Sequence, residues 1–543
     1  MTTKPSILWV SDLCNSGYSN ASYYLINNLT SDYDVYLFGI NFNYKESDYK
    51  NIIYNTYPNI SKNNIFVTKY YNNIDNYCGA YREYLINGFF SLKETVNTIK
   101  PKYIFSINDF HVIINQIRIL EDSYKKWEGQ FIAYMPIDYY NLFLSNRDTK
   151  IFNKIDKLIA YNTHGKNEYQ HFYTKHIYTM PHIISPNNFL KLNTDIYQLR
   201  KQFLGEEFRD HFVILNNNVD NIRKNLEQTI DILFQLTLKK QVVLVIKTRF
   251  SYSENTEKFK QKFQDIYKKY NTIYKSNLKL ILIVREFSTS ELNQLYNCVD
   301  LGITTTLGEG WGLTTCEMIL SGTMVLVPNN TSFKEIFPND LLLDVNKYAY
   351  SIGYNVFGSK DKINNVDKYA SCFYQSFHYS NYQFTISDKI NIIDDPDNII
   401  NILITDKPIN YNCFKYTFNS INDAISYIKS NLKDCSFQLF LLFSSNHQFF
   451  SNQLKHLENN TNIIDNQINR VSKQINFNTL YYEYKVNFSY IYKPITESYI
   501  QKIIYYIDNP NQIQLDALKM KDIILDICSE SKNCNILKNI LKK

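Results

Sequence analysis

The residue types best suited to chemistry lie in one glycine-rich stretch, residues 308–317, which reads GEGWGLTTCE. Glycines at positions 310 and 312 would let backbone amides approach a ligand closely, and a helix that begins near Leu313 would direct the partial positive charge of its amino end at the same place. Such a turn suits a phosphate group. Glu309 would lie in the loop and Glu317 about one turn inside the helix, so two carboxylates could bind hydroxyl groups on two parts of one ligand. The alternative is an ordinary turn before a helix whose glutamates face solvent.

The elements that must position this stretch follow an alternation of short apolar runs with longer amphipathic segments. The runs predict strands at residues 7–10, 35–40, 65–68, 103–107, 131–135, 158–161 and 177–180, and then, after Asp210, at 212–215, 242–246, 280–284, 301–304 and 324–327. Strands that alternate with helices form parallel sheets. We therefore expect an α/β protein with two Rossmann-like parallel-sheet domains that face each other across a cleft, where ligands bind at the carboxyl ends of the strands.

The same alternation sets the expected domain limits. The two sheet domains are predicted at residues 1–195 and 205–345. Residues 346–487 are richer in Asn, Ser and Tyr and have weaker periodicity, which indicates an insertion or an extra subdomain of unknown role. Residues 488–543 are predicted to be a closing segment with C-terminal helices, because 495–507 and 515–541 have the apolar spacing of helices. Residues 421–432, within the inserted part, show the same spacing.

Composition and charge exclude several classes of protein. The 58 Lys and Arg residues against 52 Asp and Glu give a formal net charge of +6, which is too balanced for a protein that binds nucleic acid. The nine cysteines are scattered, without the spacing of a disulfide framework or a zinc site. No apolar stretch approaches the roughly 18 residues of a membrane-spanning helix, so we expect a cytoplasmic protein with no transmembrane segment. The 47 tyrosines and 35 phenylalanines are typical of an A+T-rich genome.

The surroundings of the glycine-rich stretch resemble a known family. Seven residues separate Glu309 from Glu317, and SGTMV at 321–325 and NTS at 330–332 follow them. This pattern is similar to the carboxyl half of retaining glycosyltransferases of the GT-B type, the large family-four group (glycosyl transferases group 1). Upstream, RKN at 223–225 is similar to the phosphate-binding turn of that family, and SGYS at 16–19 to the loop after its first strand. The resemblance covers residues 5–340 and a closing segment from roughly 490 onward.

The resemblance implies a GT-B fold and an activity. A retaining enzyme of this type transfers a sugar from a nucleotide diphosphate sugar to an acceptor, with no cofactor and no obligatory metal. Residues 1–195 would be the acceptor-side domain and 205–345 the nucleotide-sugar domain. The nucleotide sugar is the expected partner, and the acceptor, whether a glycan, a protein or a small molecule, is left open. Together with the A+T-rich composition, the family would fit a large DNA virus that glycosylates its own products, in the host cytoplasm or the virion.

The roles of the family's residues carry over to positions of this sequence. Glu317 matches the glutamate that holds the nucleotide ribose, and Glu309 the one that meets the donor sugar. Lys224 matches the lysine that neutralises the diphosphate leaving group, a role suited to a point charge on a long stem. Asp138 lies where the family often places an acceptor-side polar group, and it is the third catalytic candidate. The remaining donor-binding candidates are Gly310, Trp311, Gly312, Leu313, Arg223 and Gly17.

One departure from the family concerns the diphosphate. The family usually carries an arginine a few residues before the lysine, and this chain has Val219 there. Arg223 could replace that arginine, but because it adjoins Lys224 at a predicted helix start, we expect its side chain to point elsewhere. The departure supports an alternative function, a catalytically silent protein that binds a nucleotide sugar or a glycan on the same scaffold.

Overall fold

The computed structural model describes residues 4–13, 17–40, 46–68, 88–124, 127–138, 140, 146–248, 256–351, 399–405, 416–418, 436–442 and 488–542 of the chain. The chain forms two compact units. The larger unit comprises residues 1–140, 149–347 and 491–543, and the smaller one comprises 141–148 and 348–490.

The first sheet of the larger unit has seven parallel strands in the order β3-β2-β1-β4-β5-β6-β7. These strands are β1 Ser6–Ser11, β2 Asp34–Gly39, β3 Ile65–Val67, β4 Tyr103–Ile107, β5 Gln130–Met135, β6 Lys157–Ala160 and β7 Ile177–Thr179. The described helices of this half are α1 Gly17–Leu29, α2 Glu46–Thr56, α3 Phe89–Ile99, α4 Phe110–Tyr124, α5 Asn146–Phe152 and α6 Thr163–Tyr169. We call these elements the first half.

The second sheet of the same unit has six parallel strands in the order β10-β9-β8-β11-β12-β13. They are β8 Phe212–Asn217, β9 Val242–Lys247, β10 Lys279–Ile283, β11 Leu301–Ile303, β12 Val325–Pro328 and β13 Leu342–Leu343. The described helices of this second half are α7 Ile196–Phe203, α8 Leu226–Leu236, α9 Thr256–Tyr274, α10 Thr289–Asn297, α11 Leu313–Leu320 and α12 Phe333–Ile336. The prediction of an α/β fold with two Rossmann-like parallel sheets and additional C-terminal elements is confirmed.

Both sheets form because their central strands are apolar along nearly their whole length. In β9, every residue from Val243 to Ile246 is 0% exposed, as expected for parallel strands that are covered on both faces. Trp9 of β1 stacks on Phe105 of the neighbouring β4, with ring centroids 4.0 Å apart. The helix starts also follow local signals: Ser288 caps α10 and forms a reciprocal capping box with Glu291. The two-residue strand β13 is too short for the sequence pattern to have indicated it.

The C-terminal segment has a helix at the predicted residues 495–507 and differs from the expectation of one helical run at 515–541. It forms three helices, α13 Thr496–Asp508, α14 Pro510–Ile527 and α15 Glu530–Lys542, with an interruption at Cys528. Helix α14 packs against α11 of the second half, and α15 packs against α1 of the first. Asn28 of α1 donates to Glu530 (2.8 Å), and Lys157 Nζ donates to the carbonyl of Ile540 (3.0 Å). The interruption therefore separates a helix that covers the second half from one that covers the first.

A chain that ends at Asn509 is expected to aggregate and to melt at a lower temperature. The deletion removes the apolar residues that α14 and α15 bury, among them Met520, Ile524 and Leu537, and it exposes the surfaces under them in both halves. Size-exclusion chromatography and thermal melting measure the effect. A chain that ends at Leu541 is the control. A monomeric truncated chain with unchanged melting would show that these helices do not hold the halves together.

The smaller unit contains a three-stranded parallel sheet in the order β16-β15-β17. Its strands are β15 Ile399–Thr405, β16 Tyr416–Phe418 and β17 Ser436–Leu442, while β14 Val345–Ser351 and β18 Phe488–Pro494 form a separate two-stranded sheet. The helix predicted at 421–432 lies outside the described residues. The limits 1–195, 205–345, 346–487 and 488–543 remain our proposal for the domains. Among the described helices, none combines the length and the apolar character needed to cross a membrane.

Candidate functional site

The residues of interest lie where the order of the second sheet reverses. Strands β8 and β11 are neighbours there, and the loops that follow them leave at their carboxyl ends, which is where open α/β sheets bind ligands. The loop after β8 contains a 3₁₀ turn, Ile222–Lys224, and the loop after β11 contains the glycine-rich turn 308–312. The two loops are joined by hydrogen bonds, from Leu307 N to the carbonyl of Arg223 (2.8 Å) and from Arg223 Nη1 to the carbonyl of Gly308 (2.6 Å).

A buried ion cluster forms between these loops. The Glu309 carboxylate, whose side chain is 8% exposed, pairs with Arg223 Nη1 at 3.0 Å through one oxygen and with Lys224 Nζ through the other. Burial by itself raises the pKa of Glu309, but the Lys224 and Arg223 cations outweigh burial and lower that pKa to about 2. Three of the predicted site residues are therefore brought together, with the carboxylate ionised.

The expectation that Arg223 points away from Lys224 is wrong. Both side chains reach the same carboxylate, Arg223 through Nη1 and Lys224 through Nζ. Residues Ile222–Lys224 form a 3₁₀ turn, and Asn225, which precedes α8, has a left-handed backbone with φ 54°. The glycine-rich loop lies against this turn, so the two long side chains meet at Glu309 although they leave adjacent backbone positions. Arg223 thus supplies a second cation at the site although Val219 stands where the family usually has arginine.

The glycine turn is held against the first half by close backbone packing. A β-carbon added to Gly310 would lie 2.5 Å from Pro136 Cβ, so no larger residue fits there without a shift. Gly312 has a left-handed backbone, with φ 95°, and immediately precedes Leu313, the first residue of α11. A β-carbon on Gly17 would lie 3.0 Å from Leu313 Cδ1. The amino ends of α1 and α11 are therefore adjacent, so the donor-binding candidates Gly17, Gly310, Gly312 and Leu313 belong to one region.

Asp138 of the first half reaches this turn directly. Its Oδ1 accepts the backbone N–H of Gly310 at 2.6 Å, and its Oδ2 lies 3.4 Å from Arg223 Nε. Burial raises the pKa of Asp138 to about 6; Arg223 opposes that rise, and the Glu309 carboxylate adds to it. The third catalytic candidate is thus part of the same ion cluster.

Glu317 belongs to a second group of polar residues, on the first turns of α11. Its carboxyl group accepts a hydrogen bond from Tyr296 Oη at 3.2 Å, and Asn217 Nδ2 donates to the same hydroxyl at 2.7 Å. Glu317 is 6% exposed, and burial raises its pKa to about 8, while the Tyr296 hydrogen bond opposes the rise. The side chain is therefore protonated at neutral pH in the unliganded protein.

This protonation makes the stability of the fold depend on pH. The carboxyl group of Glu317 binds its proton more tightly in the folded state, so its contribution is fully present below the unfolded pKa, near 4.5, and is lost as the pH rises to about 8. Glu317→Gln is expected to remove this loss and to be more stable than the wild type by on the order of 3 kcal/mol at pH 8, with little difference at pH 4.5. Chemical denaturation at both pH values measures it, with exposed Glu497→Gln as control. An equal difference at both pH values would contradict the assignment.

Trp311 turns its side chain into the first half. The indole is 4% exposed and packs edge-on against His182, with ring centroids 6.0 Å apart. Its Nε1 is buried and has no hydrogen-bond partner among the described residues. Tyr134 Oη lies 2.9 Å from both Met180 O and His182 Nδ1; because the hydroxyl has one hydrogen to give to that carbonyl, His182 Nδ1 carries the proton. Burial lowers the pKa of His182 to about 3, so the ring is neutral.

Further residues link the two halves around the turn, and Asn162 and Tyr140 among them were not predicted from the sequence. Asn162 caps α6 through its Oδ1 and donates its Nδ2 to the carbonyl of Gly310 at 2.8 Å. The Glu335 carboxylate accepts the backbone N–H of Thr163 at 2.9 Å, and Tyr140 Oη accepts that of Thr331 at 2.7 Å. In the sequence, Asn162 is recognisable only as the residue that caps α6. Its contact with the glycine turn, 148 positions away, has no signal in the sequence around it.

The third feature of the site is the lack of a metal-ligand cluster among its described residues. Within the described ranges, no group of three or more His, Cys, Asp or Glu side chains is arranged to hold a metal ion. The carboxylates at the site, Glu309 and Asp138, instead face arginine and lysine.

Comparisons with known proteins found similarity only among solved structures. The sequence matches no protein-family model and no curated protein. Among solved structures, it is similar to Anabaena HepE in complex with UDP and glucose (13% identity, 68% of this chain, 93% of that chain, TM-score 0.46). It is also similar to sucrose-phosphate synthase from Thermosynechococcus elongatus (11%, 63%, 86%, 0.47) and to the N-terminal domain of Candida albicans trehalose-6-phosphate phosphatase (12%, 69%, 93%, 0.48). At these identities and scores, the ligands and activities in those names belong to those proteins. The viral origin stays a prediction.

Proposed function

We propose that this chain binds a nucleotide diphosphate sugar and transfers the sugar to an acceptor with retention of configuration. The observation that carries the proposal is the convergence of two cations, Arg223 and Lys224, on one side of the glycine turn at the reversal point of the second sheet. Two adjacent cations beside a glycine turn that leads into the amino end of α11 suit a diphosphate, which carries its charges on two neighbouring groups.

The proposed chemistry follows from the charge that develops on the leaving group. As the bond between the sugar and the diphosphate lengthens, negative charge grows on the diphosphate, and cations placed there stabilise the transition state more than the ground state. Arg223 and Lys224 have this role in the proposal. In the structure the Glu309 carboxylate pairs with both cations. When the diphosphate takes over these cations, Glu309 becomes available to accept hydrogen bonds from the donor sugar.

The other site residues have binding roles in the proposal. Glu317, beside Tyr296 near the start of α11, accepts or donates a hydrogen bond to the ribose. The backbone around Gly17 and that from Gly310 to Leu313 approach the sugar and phosphate. Asp138 takes the acceptor side, since it is contributed by the first half. The acceptor itself is left open between a glycan, a protein and a small molecule.

The alternative is a silent binding protein, and one observation favours it. Both cations are already paired with carboxylates, and Asp138 occupies the amide of Gly310 in the absence of ligand. A ligand must break these contacts before any chemistry. Such a cost reduces affinity, and a protein that only binds would tolerate it as well as an enzyme would.

A panel of nucleotide diphosphate sugars tests the proposal in two stages. Thermal shift with each compound detects binding, because a ligand at 100 times its dissociation constant stabilises the fold by about 2.7 kcal/mol. Release of nucleoside diphosphate, with and without added sugar acceptors, then measures turnover. The matched nucleoside monophosphates, which lack the second phosphate, are the control and should stabilise less. Binding without release across the panel would favour the silent protein, and no stabilisation by any compound would contradict both functions.

A further inference from the structure

The peptide unit at Gly310 is held from both sides by the first half. Its N–H donates to Asp138 Oδ1 at 2.6 Å, and its carbonyl accepts from Asn162 Nδ2 at 2.8 Å. The backbone also approaches closely: a β-carbon added to Gly308 would lie 1.8 Å from the carbonyl oxygen of Asp138. The segment 136–138 therefore lies directly on the glycine turn, and one of the turn's amides is already used.

Asp138 makes the contacts that an anionic ligand would make. One carboxylate oxygen takes a backbone amide of the turn, and the other faces the guanidinium of Arg223 at 3.4 Å. The Asp138 side chain is 21% exposed, so it lies at the edge of the cluster, whereas Glu309 is 8% exposed and lies inside it. An amide and a guanidinium together are typical partners of phosphate oxygens.

We infer that Asp138 is a built-in competitor: its carboxylate occupies an anion position of the glycine turn in the unliganded protein, and an anionic ligand must displace it in order to bind. The inference rests on the proposed function only for the identity of that ligand as a diphosphate. Displacement frees the N–H of Gly310 and Nε of Arg223 together, while Arg223 Nη1 stays bound to Glu309 and to the carbonyl of Gly308. Displacement of Asp138 also breaks a contact between the two halves. Ligand binding is therefore coupled to the separation of segment 136–138 from the glycine turn.

The two carboxylates of the cluster differ in how firmly they are held. Two cations hold Glu309, whose pKa is lowered to about 2. Asp138 is held less well, because burial raises its pKa to about 6 and Arg223 offsets this only in part. The charged and titratable groups that face it are Arg223, Lys224, Glu309, Asp109, Tyr18, Tyr161 and Tyr169. Asp138 is therefore the carboxylate that yields to a ligand with two or more negative charges.

Calorimetric titration of the full chain with inorganic pyrophosphate at pH 7.5 tests the inference. Asp138→Asn keeps the shape of the side chain but removes its charge, so it should bind pyrophosphate about tenfold more tightly than the wild type. The control is Asp340→Asn, which makes the same change on an exposed carboxylate bound to Lys519. That control should bind as the wild type does, which separates a local effect from a change in net charge.

A second measurement keeps the inference testable without a substitution. Inorganic sulfate has a constant charge between pH 5 and 8, so any change in its effect over that range comes from the protein. In the wild type, thermal stabilisation by sulfate should increase as the pH falls through about 6, because protonated Asp138 no longer competes. In Asp138→Asn this increase should be absent. If the variant does not fold, the wild-type profile decides, and a flat profile overturns the inference.

The outcomes separate this inference from the proposed function. Equal pyrophosphate affinity in the wild type and Asp138→Asn would overturn the competitor while leaving the diphosphate site intact. Tighter binding to Asp138→Asn, with no nucleotide release from any donor, would keep the competitor and contradict sugar transfer. If pyrophosphate binds to neither protein, both proposals fail.

Discussion

Replacement of Lys224 by alanine is expected to lower turnover by on the order of 100-fold or more while weakening donor binding much less. The reason is that the diphosphate gains negative charge as its bond to the sugar breaks, and a cation close to it contributes most at that moment. Lys224 is largely buried and directed at the interior of the ion cluster, with its Nζ on one oxygen of Glu309. Without the ammonium group, Arg223 is the remaining cation of the cluster that pairs with the Glu309 carboxylate.

Steady-state kinetics with the donor found in the panel would measure this, with kcat and KM reported separately. Lys262→Ala is the matched control: Lys262 lies on α9, pairs with Asp220 at 2.6 Å and is 48% exposed. That variant should retain wild-type turnover, because its charge lies outside the cluster. A Lys224→Ala protein with wild-type kcat would remove the residue from the mechanism. A rise in KM with unchanged kcat would instead indicate that Lys224 stabilises the ground state and the transition state equally.

Arg200→Ala is expected to destabilise the fold by about 3 kcal/mol, because it removes one partner of a largely buried ion pair together with three further hydrogen bonds. The Arg200 side chain is 5% exposed and lies 2.6 Å from Asp300, which is 26% exposed and also accepts the backbone N–H of Val213. Its Nε donates to the carbonyl of Cys298 and its Nη1 to those of Arg209 and His211. One guanidinium thus ties α7 to the chain entering β8 and β11.

The neighbouring residue provides the control for this prediction. Lys201 also pairs with a carboxylate, that of Glu206 at 2.7 Å, but the two side chains are 71% and 59% exposed. Lys201→Ala should therefore change the denaturation midpoint little, since exposed ion pairs contribute roughly 0 to 1 kcal/mol. Chemical denaturation of the two variants compares the loss of a largely buried ion pair with the loss of an exposed one. Similar midpoints for both would show that the hydrogen bonds of Arg200 are replaced by water.

The ion cluster shows how a local sequence pattern can give a wrong direction. The pattern around residues 222–226 is that of a helix start, where adjacent side chains diverge by about 100°. The structure has a 3₁₀ turn and a left-handed Asn225 there, and Asn225 Nδ2 donates to Gln228 and to the carbonyl of Thr305. Arg223 Nη1 donates to the carbonyl of Gly308 and pairs with Glu309, both in the loop after β11. That loop is distant in the sequence, so no window around Arg223 contains the reason for its direction.

The sequence by itself determined the two parallel sheets and the location of the chemical residues on one of them. The strands are continuous apolar runs. The hydrophobic pattern and the length of a run identify it as a strand without knowledge of the strands that pair with it. The glycine turn could also be predicted from the sequence. Gly310 is needed for a close approach to Pro136, and Gly312 for a backbone with positive φ. Glu309, Lys224 and Glu317 were found on the same local grounds together with a family resemblance.

Only the tertiary structure decided which of these residues meet. The pairing of Glu309 with both Arg223 and Lys224 joins loops that are 85 positions apart, and the contact of Asp138 with Gly310 joins positions 172 apart. The protonation of Glu317 likewise depends on how deeply the fold buries it. Distances across a fold and the loss of water around a charge are properties of packing between elements, and the sequence of one element does not contain them.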